Sequence, residues 1–413
     1  MASTVTTPEP ATTAAAAAAA VISGDSSSIT KPVLSQEQVK HVLATYFGIQ
    51  AELLKEFPSY DDLNYFVRGV GVVVESASPA LAQIENGASH EYVLKINNCG
   101  EDRHALDLQN KAMMHLRSLK CPAPPVMPSL VNGGAVMFEI NPSTLALEPT
   151  TTTESASSPA SLPVRLLGFV PGTLLYEIKP HAAHYEAVGR FVATMADAFD
   201  TFDHPAATRD FMWDLRHAPR FRKHLELVKL PERHAIAQSI LDAFDATVGP
   251  LMTEAWANPP ALDAETGLRI GIIHGDCNDH NILVAQEPPQ VIGIIDFGDV
   301  VRSHLVFDVA IAAAYCVLDQ SDPVAVAASV LSGYLAKRSL NRTELEVFGL
   351  LLCVRLAMSV LMSARKQIMY PDDEYLRVTE RPAWAALTWI FSRPGGLAAF
   401  SNDVCSRAQQ AQV

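Results

Sequence analysis

Two short apolar runs, each ending directly in an acidic motif, constrain this chain more than anything else in its sequence. Ile270-Gly271-Ile272-Ile273 leads into His274-Gly275-Asp276-Cys277-Asn278-Asp279-His280-Asn281. Val291-Ile292-Gly293-Ile294-Ile295 leads into Asp296-Phe297-Gly298, fifteen residues after Asn281. Runs of this length and composition, closed by polar residues, read as short buried strands. Side chains at a strand exit stand on rigid backbone. The two exits therefore predict one cleft in which Asp276, Asn281 and Asp296 converge.

Those residue types suit phosphoryl transfer, which asks little covalent chemistry of a protein but needs an aligned nucleophile and compensation of the triphosphate charge. Asp276 can accept a hydrogen bond from an attacking hydroxyl and take its proton as the new bond forms. Magnesium takes hard oxygen ligands at about 2.1 Å in near-octahedral geometry. Asn281 offers a neutral amide oxygen and Asp296 a charged one, so together they bind the ion without extinguishing its charge. His274 and His280 read as structural braces. Asp299, just past the second motif, stays open between a place beside the metal ligands, a contact to a substrate ammonium group and simple solvation.

The rest of the chain reads as an α+β protein. Ser35 and Gln38 have capping-box spacing, and Val39, Val42, Leu43, Tyr46 and Phe47 share a helical face, which predicts a helix over 36–47 ended by Gly48. Strand-like runs follow at 65–68, 92–96, 135–140 and 164–170, with a helix over 105–120 among them. Beyond Pro171-Gly172, which reads as a hinge, Val188, Phe191, Val192, Met195, Phe199 and Phe202 mark one amphipathic helix, and helical patterns cover 232–258, 304–318, 343–368 and 373–392. Residues 1–34, rich in Ala, Ser and Thr, are expected to form a disordered tail, and the Ser/Thr/Pro-rich stretch 141–161 a mobile surface insertion. The N-lobe is placed at 35–170 and the C-lobe at 171–413.

The formal net charge of −14 argues against a surface built to neutralise nucleic-acid phosphates or anionic lipid. Six cysteines without a C-x-x-C pair read as reduced, mostly buried thiols in a cytoplasmic setting. No run reaches the roughly 20 uninterrupted apolar residues of a membrane span. The most apolar stretch, Val306 to Leu318, carries Asp308 and reads as a core helix.

The pair of motifs resembles the aminoglycoside phosphotransferase and choline kinase superfamily, whose signature is H-G-D-x-x-x-x-N followed by a strand and D-[FW]-G. The resemblance implies a bilobal protein-kinase-like fold, with a small antiparallel-sheet N-lobe and a mainly helical C-lobe. It implies that Lys95, ending Tyr92-Val93-Leu94-Lys95, contacts nucleotide phosphates, and that Asp308 supports the catalytic loop from behind. The glutamate that usually orients the lysine is absent. Asp107 and Gln109 are the alternatives for its place, and the sequence does not choose between them.

From Phe57 to about Trp384 the chain is similar to the hydroxylysine kinase branch. The similarity runs through Ser59-Tyr60-Asp61-Asp62-Leu63-Asn64, Gln109-Asn110, Arg165-Leu166-Leu167, Phe211-Met212-Trp213-Asp214-Leu215 and Asp296-Phe297-Gly298-Asp299. Cys277, Asp107 and the insertion depart from it. The implied reaction is transfer of the γ-phosphate of GTP to the side-chain hydroxyl of 5-hydroxylysine, with Mg2+, in lysine catabolism. A kinase for another amino alcohol, using ATP or GTP, and a nucleotide-binding pseudokinase are the alternatives. The acidic residues Asp299, Asp372, Asp373 and Glu374 would suit the ammonium groups of such a substrate, or equally form a solvated helix end. Trp213 reads as a pocket wall or a core residue, and oligomeric state is left open.

Overall fold

Ser35 and Gln38 close a reciprocal capping box (Gln38 N to Ser35 Oγ 3.2 Å, Ser35 N to Gln38 Oε1 2.9 Å) that starts helix α1, Gln36–Phe47. Gly48 ends it at φ 65°, a left-handed conformation that glycine adopts without penalty. The computed structural model describes residues 31–57, 59, 62–71, 89–145, 161–369 and 376–411. Most of the expected tail and insertion, and Asp372, Asp373 and Glu374, lie outside the described residues. At their edges, Lys31 pairs with Glu56 at 2.9 Å, Leu34 is buried, and Pro142–Leu145 form a short 3-10 turn that buries Leu145. Those flanks of the assigned tail and insertion are thus docked on the first lobe.

The first lobe is an antiparallel sheet of β1 (Ile49–Phe57), β2 (Leu63–Gly71), β3 (Ser89–Ile96), β6 (Leu162–Gly168) and β4 (Val126–Met127) in that spatial order, with β5 (Phe138–Ile140) also on β6. Alternation sends Tyr65, Val67, Leu94, Ile96, Val164 and Leu166 to one face, where they pack with Val39, Val42 and Leu43 of α1. Lys95 and Arg165 are direct cross-strand partners, so they share the opposite face. Helix α2 (Arg103–Ser118) covers that face, and its Leu108, Ala112, Met113 and Leu116 join the core of the second lobe.

The second lobe is mainly helical: α3 (Ala182–Phe199), α4 (Pro231–Ala243), α5 (Gly249–Ala257), α6 (Leu305–Cys316), α7 (Pro323–Leu335), α8 (Arg342–Met369), α9 (Leu376–Ser392) and α10 (Gly396–Gln410). Helix α8, rather than Val306 to Leu318, is the one among the described residues long and apolar enough to cross a membrane by length and composition, and it lies buried in the core. Two small antiparallel sheets sit among the helices. One pairs β8 (Ile270–Ile273) with β11 (Val301–His304), and the other orders β10 (Gln290–Ile294), β9 (Ile282–Ala285) and β7 (Thr173–Leu174). A buried pair, Arg269 Nη2 to Glu344 Oε2 at 2.5 Å, ties the entry of β8 to the start of α8. Strands β8 and β10 are thereby fixed where their exits face the first lobe.

Candidate active site

The loop after β8 is built around Asp308, in the first turn of α6. Its buried carboxylate accepts from the backbone N–H of His274 (2.9 Å) and of Gly275 (2.8 Å). His274 is fully buried, with its ring edge-on to Phe297 at 4.8 Å and its Nδ1 accepting from the Asp276 N–H at 3.3 Å. Burial pushes its pKa down, so the ring stays a neutral brace between the two motifs. His280 stacks on Tyr176 at 3.9 Å, and the Tyr176 N–H donates to the Asp279 carbonyl, so it braces the chain entering the second lobe.

The Asp276 carboxylate is held on both sides. Its Oδ2 accepts from Asn278 Nδ2 and Asn281 Nδ2, each at 2.8 Å, and its Oδ1 accepts from Arg355 Nη2 at 2.6 Å. Burial pushes its carboxyl up and the charge of Asp296 adds to this, while Arg355 opposes both. Asn281 Nδ2 also donates to the Asp276 carbonyl at 3.0 Å. With its amide nitrogen spent in this way, Asn281 leaves Oδ1 free of any protein hydrogen bond among the described residues.

Asp296 stands at the exit of β10 with φ 60° and ψ 81°, and its Oδ1 accepts from the Gly298 N–H at 3.2 Å. Its side chain is open to solvent although protein surrounds it on several sides. The Lys95 ammonium facing it from β3 holds its carboxyl below the usual range, and Arg165 adds to that. Asp299 has no side-chain hydrogen bond among the described residues. Burial, and then the negative charge of Asp276, pushes its carboxyl well up. Asp276, Asn281 and Asp296 from the second lobe and Lys95 from the first thus line one cleft.

Asp107 is not part of it. Its carboxylate bonds Lys111 Nζ at 2.7 Å and His204 Nε2 at 3.1 Å. Gln109 bonds a different cation from the expected lysine: Arg165 Nη1 donates to Gln109 Oε1 (2.9 Å) and to Asn110 Oδ1 (3.2 Å), and its Nε to Asn97 Oδ1 (3.3 Å). Helix α2 therefore grips Arg165, and Lys95 finds its counter-charge in Asp296.

Sequence reasoning passed over Arg355 and Arg165 as functional candidates. Each had a signal: an arginine centred in the apolar run Leu350 to Met358, or within a strand otherwise made of Leu, Pro and Val, is a buried charge that needs a partner. Arg209 also went unnoticed. Its Nη2 donates to the carbonyls of Gly298 (2.5 Å) and Val300 (3.1 Å), so it pins the turn that follows Asp296. Trp213 is half-buried and packs against Arg355.

The model of a family described as the phosphotransferase enzyme family matches residues 60–344, which include Lys95, Asp276, Asn281 and Asp296. The chain belongs to that family. Among the phosphotransferases it is similar to proteins named hydroxylysine kinase. It is 28% identical over 381 residues to hydroxylysine kinase of Mus musculus, covering 89% of this chain and 92% of the relative. The relative of the same name from Danio rerio is 26% identical over 366 residues, covering 86% of this chain and 91% of its own length. Among solved structures, an amicoumacin kinase in complex with AMP-PNP, Ca2+ and Ami aligns with a TM-score of 0.59 at 13% identity, covering 86% of this chain and 93% of that one. A microcompartment-associated aminopropanol kinase aligns with a TM-score of 0.53 at 16% identity, covering 90% and 96%. At such identities they establish the shared kinase-like fold. The chain is a phosphotransferase that acts on an alcohol group.

Proposed function

We propose that this phosphotransferase moves the γ-phosphate of GTP to the side-chain hydroxyl of 5-hydroxylysine, a step of lysine catabolism in the cytoplasm. The observation that carries this reading is the convergence of Asp276, the free Oδ1 of Asn281, and Asp296 with Lys95 opposite. The relatives named hydroxylysine kinase support the acceptor, and the AMP-PNP complex of the amicoumacin kinase supports a nucleotide donor.

In this reading Asp276 accepts the hydrogen bond of the acceptor hydroxyl and takes its proton as oxygen attacks phosphorus. Lys95 pairs with the nucleotide phosphates once they enter between it and Asp296. Asn281 Oδ1 and the Asp296 carboxylate would hold Mg2+. The donors fit: both are hard oxygens, one neutral and one kept ionised by Lys95, and such an ion keeps water and phosphate oxygens as its remaining ligands. When bound, the ion neutralises charge on the transferring phosphate. Asp299, whose carboxyl has no hydrogen-bond partner among the described residues, would receive a substrate ammonium group. That role would suit an acceptor with two such groups.

The test is a phosphorylation panel of hydroxylysine, homoserine, ethanolamine and kanamycin, each with GTP and with ATP. Hydroxylysine with GTP should give the highest kcat/KM, and Asp276→Asn should lower kcat by about 10²–10⁴-fold. Preference for ethanolamine, homoserine or kanamycin would move the acceptor to another amino alcohol. Undiminished turnover by Asp276→Asn would remove the mechanism.

A further inference from the structure

Arg355 comes from the middle of α8, far in sequence from both motifs, yet its guanidinium ends on the carboxylate of Asp276. Its side chain is only 3% exposed. All three of its nitrogens are engaged: Nε donates to the Tyr315 hydroxyl (3.1 Å), Nη1 to the Trp213 carbonyl (3.3 Å) and Nη2 to Asp276 Oδ1 (2.6 Å). The planar group also packs on the rings of Trp213 (5.1 Å) and Tyr315 (5.4 Å). A guanidinium fixed on two elements and by two rings has little rotamer freedom left, and a charge-assisted bond from it is directional.

We infer that Arg355 is the positioning residue for Asp276, holding its carboxylate aimed at the acceptor hydroxyl. The inference rests on the reading of Asp276 given under Proposed function.

Three observations lead there. The amides of Asn278 and Asn281 both donate to Oδ2, so among the described residues only Arg355 restrains Oδ1 against rotation. Asp276 lies beside the carboxyl groups of Asp296 and Asp299, and among the described residues Arg355 is the sole cation in ion-pair contact with it. Finally, Arg355 belongs to the second lobe and packs against Trp213 and Tyr315, whereas Lys95 and Arg165, the cations facing Asp296, stand on the sheet of the first lobe. A loss confined to alignment of the acceptor should therefore leave nucleotide binding intact.

Steady-state kinetics on Arg355→Met, Arg355→Lys and Tyr315→Phe, with hydroxylysine as acceptor or the best acceptor of the panel, tests this. Arg355→Met should lower kcat about 10²-fold, the cost of misplacing a reacting group by about 1 Å. Its KM for nucleotide should stay within about threefold of wild type, the pattern of an interaction that matters only in the transition state. Arg355→Lys, which restores the charge without the fork, should recover part of the loss. Tyr315→Phe removes only the hydroxyl that holds Nε, so it reports even if Arg355→Met does not fold, and it should show the same split more weakly.

Turnover by Arg355→Met within about threefold of wild type overturns the inference. So does a kcat loss matched by an equal rise in nucleotide KM, with the lysine variant no better than methionine, or an unaltered kcat in Tyr315→Phe. Asp276→Asn is measured beside them. Activity surviving there ends the catalytic reading itself, whereas activity lost there but kept in Arg355→Met ends this inference alone.

Discussion

At Gly275 the backbone takes φ 81°, and a Cβ there would lie 2.6 Å from the Asp299 carbonyl oxygen. Glycine at this position is what lets the loop from β8 pass under the turn that follows Asp296, so that the two motifs touch. Gly275→Ala therefore meets both a left-handed backbone, costing about 1–2 kcal/mol, and a contact with backbone that cannot swing aside. We expect kcat to fall about 10²-fold because Asp276 is displaced, with unfolding stability lower by about 1–3 kcal/mol. Kinetics and a denaturant titration on the one variant check both. Beside it, Cys277 is fully buried and its thiol is pushed well up by burial, with Asp308 next to it, so it adds no reactive group to the site.

Helices α3 and α7 meet through a pair of glycines. A Cβ on Gly189 would lie 1.9 Å from the Val330 carbonyl oxygen, and one on Gly333 would lie 2.0 Å from that of Glu186. In an exposed helix, Gly→Ala gains about 1 kcal/mol of propensity. Here the methyl meets backbone, and the overpacking penalty of about 1–3 kcal/mol exceeds that gain. Gly333→Ala should thus lower the denaturation midpoint, and a midpoint equal to or above wild type would show that the two helices can separate at no net cost. Among the strands, β1 was not anticipated from sequence. It is an edge strand whose burial pattern has few enclosed positions, with Leu53 exposed, so its alternation is faint. Helices α7 and α10 were passed over too, since small residues such as Ala, Gly and Ser blur the 3.6-residue period that marks a helical face.

Across the whole molecule, acid should unfold the protein through histidines as well as carboxylates. Burial pushes His224 and His304 down to about 4 from an ordinary value of 6.5, with neighbouring cations Arg365 and Lys223 adding to the effect on His224 and the Leu268 carbonyl opposing it on His304. Folded, both rings stay neutral down to about pH 4; unfolded, they take protons near 6.5, so unfolding binds protons in this window. Their contribution to stability is therefore fully present above about pH 6.5 and is lost as pH falls toward 4, at up to about 1.4 kcal/mol per unit for each ring. Thermal midpoints measured from pH 7 to pH 4 should fall accordingly, and His304→Phe should flatten part of the slope; an unchanged slope would contradict this account. The sequence by itself determined the α+β class, the capped first helix, the two strand exits and the three oxygen-bearing groups they deliver, because caps, apolar periods and motif spacing act over a few neighbouring residues. Only the tertiary structure decided that α2 grips Arg165, that Asp107 meets His204, and that Arg355 reaches Asp276. Those contacts join residues from 55 to 97 positions apart in the case of Arg165 and His204 and 79 in that of Arg355. Which buried charge meets which partner depends on how the helices pack, and no local pattern encodes that.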